Sequence, residues 1–118
     1  MNKKLLILLT FIYVIPNFLL AKTNYFEEGV DLFNKKKFNE AKFKFEQDIV
    51  FNPKSELSYL YLSKIFNKQN KKKLEEQNLN AVVLLNPKNE EAIYQLAKLK
   101  LSSSDYKKSK ELNKKLKL

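Results

Sequence analysis

The sequence predicts an all-α chain built from a short stack of antiparallel helix pairs, and three observations lead there. The first is composition: one Gly and three Pro in 118 residues, with Leu, Lys, Glu, Ala and Gln outweighing the β-branched residues, favours helix over a turn-rich sheet. The second is spacing, since apolar residues recur about 3 and 4 apart in short segments, the stripe of an amphipathic helix. The third is an echo: "NPKSE" at 52–56 returns as "NPKNE" at 86–90, so that Pro53 and Pro87 stand 34 residues apart. Hydrophobic residues at 44%, with nine Phe and six Tyr, suffice for a packed core in one domain.

The first twenty-one residues, "MNKKLLILLTFIYVIPNFLLA", are read separately. Lys3 and Lys4 precede an apolar run from Leu5 to Ile15; Pro16 and Asn17 interrupt it and Ala21 closes it. A basic start, a short apolar stretch and a small residue before a polar chain describe a secretory signal peptide, cleaved after Ala21. The run falls short of the roughly 20 apolar residues of a comfortable membrane span. Leu19, where a second small residue is usual, leaves open the alternative of an uncleaved anchor over residues 5–20. No cysteine follows the run, which excludes a lipoprotein. The expected location is exported, periplasmic or secreted, with membrane attachment if the anchor is retained.

The remaining residues, 22–118, divide at the 34-residue interval into 22–55, 56–89 and 90–118. In this register Tyr25, Tyr59 and Ile93 align, as do the small residues Gly29, Ser63 and Ala97, and Phe45 with Leu79. Leu32 and Phe66 align, although Lys100 breaks their column. Phe38 falls with Lys72 and Tyr106, and Ala41 with Glu75 and Ser109. Self-similarity at this period is the mark of a repeat architecture.

Each unit holds two amphipathic segments, with helices expected near 24–34, 38–51, 56–68, 71–85, 90–101 and 105–117. Asn52 and Asn86 precede proline and are pushed out of helical dihedrals, so a helix ends at each. Ser55 and Asn89 are then expected to cap the following helices, with Glu56, Glu90 and Glu91 in the first turns near the positive dipole ends. The duplicated pentapeptide is thus the connector between one hairpin and the next. The last segment, "DYKKSKELNKKLKL", is apolar mainly at Tyr106, Leu112, Leu116 and Leu118 and otherwise polar, as a terminal cap requires.

These residues resemble the tetratricopeptide repeat, aromatic-x-x-Leu-Gly-x-x-Tyr, then Ala-x-x-x-Phe, then Pro. Residues 22–55 match at Tyr25, Gly29, Leu32, Ala41, Phe45 and Pro53, with Glu28 in place of Leu. Residues 56–89 match at Tyr59, Leu62, Phe66 and Pro87, with Ser63 for Gly and Glu75 where a small residue belongs. Residues 90–118 match at Leu96, Ala97 and Tyr106. The resemblance implies a right-handed solenoid of three helix pairs, and Glu75 and Lys100 imply looser packing in the second and third units. It also implies a concave groove lined by the first helix of each pair. The residues expected there are Phe26, Val30 and Phe33, then Leu60, Lys64 and Asn67, then Tyr94, Lys98 and Leu101.

The chemistry of catalysis is missing. There is no His and no Cys, so neither His-based triads nor the usual zinc ligand sets can form. A single Gly rules out phosphate-cradling loops. The pairs Glu27-Glu28, Glu75-Glu76 and Glu90-Glu91 point roughly 100° apart on a helix and read as solvated faces or first-turn charges, not acid–base dyads. No enzyme activity, cofactor or metal is expected. The formal charge of +10 comes entirely from Lys. Without Arg, the preferred fork for phosphates and bases, a nucleic-acid surface is not expected.

The expected function is therefore that of an exported adaptor gripping a partner protein or peptide, one with apolar anchors and some negative charge, in the concave groove. Some tetratricopeptide proteins hold a C-terminal carboxylate with Lys and Asn on these helices. Here Phe26, Val30 and Glu91 occupy positions where that grip wants polar or basic groups, so the resemblance does not extend to it. The alternative is an envelope-associated protein held on anionic lipid or cell-wall polymer by its Lys runs at 35–37 and 71–73, which line one rim. A homodimer through the last helix is a weaker third arrangement.

Overall fold

The computed structural model describes Lys3, residues 24–103 and residues 106–116. The expected signal segment, Lys3 apart, lies outside them. The described chain is helical: α1 Tyr25–Asn34, α2 Phe38–Phe51, α3 Glu56–Lys68, α4 Lys72–Leu85, α5 Glu90–Ser102 and α6 Tyr106–Leu116, with no strand among the described residues. Each helix packs on its neighbours in sequence, α1 on α2, α2 on α3, and so on to α6. This is a stack of three antiparallel hairpins. No helix among the described residues is long and apolar enough to cross a membrane.

The helices stop where local chemistry stops them. Asn52 and Asn86, each before proline, leave the helix at φ −132° and −138°. The turns inside the first two hairpins repeat one device. Lys36 and Asn70, also 34 residues apart, adopt left-handed backbone with φ 60° and 55°. The Lys37 and Lys71 N–H groups donate back to the carbonyls of Leu32 and Phe66, both at 2.9 Å, the double-bonded helix ending that usually calls for Gly. Asn89 caps α5 as expected, its Oδ1 accepting from the Ala92 N–H at 2.8 Å. Ser55 does not cap α3 with its side chain. Its hydroxyl donates instead to Ser58 Oγ at 3.0 Å, and Ser58 donates to Asp48 Oδ2 at 2.5 Å. The charged Asp48 carboxylate near the end of α2 is a strong acceptor for Ser58, and Ser58 in turn orients the Ser55 hydroxyl.

The connectors also hold each other. Glu56, expected simply as a first-turn charge, accepts from Asn86 Nδ2 at 3.0 Å and Asn89 Nδ2 at 2.6 Å. One connector's glutamate thereby fixes the next connector.

Two apolar clusters fill the stack. The first joins Ala41, Phe45, Leu62, Ile65 and Phe66 beneath half-buried rings of Phe26, Phe33 and Tyr61. The second joins Leu60, Leu79, Val82, Ile93, Leu96 and Leu112. The aligned small residues sit in the interior, Gly29 buried in α1, Ser63 in α3 and Ala97 in α5. At Gly29 a Cβ would come within 2.7 Å of the Phe45 ring, closer than carbon atoms pack, so only glycine lets α1 and α2 approach this far. The side chains of Tyr106 and Ser109 lie outside the described residues.

Candidate functional site

The concave side of α3, α4 and α5 carries a cleft of about 300 Å³, bounded by Phe33, Leu60, Lys64, Asn67, Glu75 and Gln95. A second hollow of about 180 Å³ continues past Asn67 and Glu75 toward Lys72, Lys98 and Ser102. Glu75 stands on both. It opens α4 where Ala41 opens α2, and it is only 4% exposed. The sequence places it on a solvated face or among first-turn charges; it is in the first turn, but it is not solvated.

Asn67 explains how a carboxylate survives there: its Nδ2 donates to Glu75 Oε1 at 2.9 Å. Burial still pushes the Glu75 carboxyl above its ordinary range, with the Asn67 bond and the charges of Lys72 and Lys98 pulling partly back. The looser packing expected around Glu75 and Lys100 takes a specific form. Leu79 and Val82 remain buried, and space opens beside the carboxylate. Lys100 replaces an apolar residue by reaching Glu76 in an ion pair that ties α5 to α4.

The cleft walls are polar and partly paired. Lys64 meets Glu91 at 2.9 Å, joining α3 to α5, and its ammonium also lies 5.4 Å from the Tyr61 ring centroid. Lys68, Lys72 and Lys98 are exposed. With one carboxylate buried and another paired, the balance offered to a ligand is cationic. Among the described residues no three carboxylates are grouped so as to hold a metal ion.

Of the nine residues expected in the groove, five line these hollows: Phe33, Leu60, Lys64, Asn67 and Lys98. Leu60 forms part of the floor and is buried in the second cluster, not displayed on an exposed strip. Phe26 packs its ring against Phe45 and Tyr61 and otherwise borders a different hollow beside the first connector. Val30 is half-buried on the aromatic cluster. Tyr94 and Leu101 are more than half exposed but line neither hollow. Sequence reasoning missed Gln95 and Glu75 as cleft residues. Glu75 had announced itself by breaking the small-residue column, whereas Gln95 aligns with Tyr61, a column outside the motif.

No protein-family model matches the sequence, and a comparison with curated proteins found no match. Solved structures are similar in fold. The first tetratricopeptide domain of Spaghetti (RPAP3), bound to the HSP90 peptide SRMEEVD, superposes with a TM-score of 0.70 at 16% identity, over 78% of this chain and 73% of that one. The CopN–Scc3 complex gives 0.73 at 12% identity, over 86% and 61%. The Sgt2 tetratricopeptide domain of Aspergillus fumigatus gives 0.68 at 17% identity, over 80% and 64%. The chain thus spans less than two thirds of the length of the last two. The fold is the right-handed tetratricopeptide solenoid.

Proposed function

We propose that the chain is a non-enzymatic, exported adaptor whose concave cleft between α3 and α5 holds an extended segment of a partner polypeptide. The carrying observation is the cleft itself: an apolar floor at Leu60 with side-chain donors from Lys64, Asn67, Gln95 and Lys98 converging above it. That combination suits a peptide with an apolar anchor and acidic side chains. The RPAP3 domain of the same fold is bound to a peptide containing two adjacent glutamates, which supports the reading by analogy of fold. Export is supported by the basic start and apolar run before Ala21. A mature form beginning at Lys22, read by mass spectrometry on exported protein, is the expected result; an intact Met1 speaks for the retained anchor.

Lys98→Glu tests the cleft. Lys98 is exposed and forms no ion pair among the described residues, so the fold should persist with unchanged helicity by circular dichroism. Co-purification of the partner should be lost. Undiminished capture by this variant would remove the cleft as the binding site.

A further inference from the structure

The lysine runs at 35–37 and 71–73 occupy equivalent turns, and Lys107 and Lys108 stand at the start of α6. Because the hairpins are antiparallel and packed in order, the three turns share one rim, while the connectors at 52–55 and 86–89 share the other. On the turn rim Lys35 pairs with Asp31 at 2.7 Å and Lys37 lies 3.8 Å from Glu40. Lys36, Lys71, Lys72 and Lys73 are exposed and make no ion pair among the described residues.

The two runs stand between helix ends: Lys35 is the C-cap of α1 and Lys71 follows the end of α3, where positive charge is favourable, while each run also precedes the next helix, where it is not. Lys71 is the N-cap of α4, and Lys72 and Lys73 begin it; Lys107 and Lys108 lie in the first turn of α6, which holds no acid. Positive charge at a helix N-terminus opposes the macrodipole. The rim is also continuous with the cleft, because Lys68 and Lys72 line the hollows and stand at its edge.

Resting on the groove reading above, we infer that the partner segment held in the cleft leaves across this rim, and that the stretch crossing it is an acidic, Asp/Glu-rich polypeptide. Because α1 meets α3 and α3 meets α5 directly, the lysine clusters follow one another at about one helix spacing, roughly 10 Å each. The row therefore spans about 20 Å, the reach of about six extended residues, which fits a chain and not a small anion. The protein has no Arg to fork a phosphate. The rim aromatic among the described side chains, Phe38, is half-buried with Lys68 5.3 Å from its ring centroid, so it is not an open stacking platform for bases. An anionic lipid surface is the competing occupant, and tighter binding of the wild type to phosphatidylserine vesicles than to an acidic peptide would overturn the inference.

The test compares equal charge changes at two places in the full chain. Lys36→Glu, Lys71→Glu and Lys73→Glu combined alter the rim without touching a cleft-lining residue. Lys54→Glu, Lys88→Glu and Lys114→Glu combined make the same net change at the other end. The probe is a fluorescent peptide of about six glutamates, followed by anisotropy at low and physiological salt. The rim variant should bind about tenfold more weakly, with a flattened salt dependence, and the control less than about threefold. Equal losses in both variants, no binding by the wild type, or displacement of the peptide by a lower concentration of a single-stranded oligonucleotide of equal charge would each overturn the inference. Rim preference together with undiminished partner capture by Lys98→Glu would strike the groove reading while leaving the acidic-segment preference of the rim in place.

Discussion

The first and second halves of the stack answer the same structural question with different side chains. Between the first two hairpins, Tyr61 stacks on Phe45 with centroids 4.9 Å apart, and Phe26 and Phe33 meet its edges at 5.9 and 5.1 Å. The ring plugs the inner curve. One repeat later Gln95 stands where Tyr61 stood, Leu79 replaces Phe45 and Glu75 replaces Ala41, and the inner curve is open. A repeat thus fixes where a groove can run, while the individual residues decide which part of it is vacant. The aromatic half supplies rigidity, and the polar half supplies the site.

The largest expected effect comes from breaking the aromatic half. Phe45 is fully buried and its ring meets two others. Phe45→Ala should cost about 3–5 kcal/mol by urea denaturation, more than Leu79→Ala at the equivalent aliphatic position. Equal costs would mean that the two halves do not differ as described. Exchanging the plug is the next test. Tyr61→Gln should lose about 2 kcal/mol of stability through lost ring contacts and burial. Gln95→Tyr should instead leave stability little changed and block partner capture by filling the cleft.

A smaller difference separates the two turns. Lys36 and Asn70 share left-handed backbone, but Asn tolerates it better than Lys. Lys36→Gly should therefore stabilise by about 1 kcal/mol and Asn70→Gly by a few tenths, read as a rise in the urea midpoint. The smallest effect is one of pH. Burial raises the folded-state pKa of Glu75, so the folded state holds this proton more tightly than the unfolded chain. The resulting stability is present below the ordinary carboxylate value near 4.5 and is lost as pH rises through the raised value. Glu75→Gln, which keeps an acceptor for Asn67, should be more stable than wild type at neutral pH and should converge with it in acid. A constant difference at all pH values would remove burial of the charge as the cause.

Much of this architecture was legible because its signals are local. Pro53, Pro87 and the asparagines before them set helix ends, and the columns at 29, 63 and 97 named the close contacts. The side-chain contacts were less legible because they join distant residues. Nothing in the neighbourhood of Glu56 announces Asn86 and Asn89, about thirty positions on. Ser55 carries a good capping residue type, yet its hydroxyl is drawn into the relay to Asp48. Phe26, Val30 and Phe33 were expected to line a groove from the resemblance to the repeat. Phe33 does line the cleft, while Phe26 and Val30 pack into the cluster around Tyr61, a residue outside the motif.

The open half is the heart of the account, and a photo-crosslinking amino acid reads it most directly. Placed at Gln95 inside the cleft, it should yield an adduct of one discrete mass in the native host. Placed at Phe43, 59% exposed on α2 and away from the cleft, it should yield none. The same adduct from Phe43, or none from Gln95 while the partner still co-purifies, would contradict binding in the cleft.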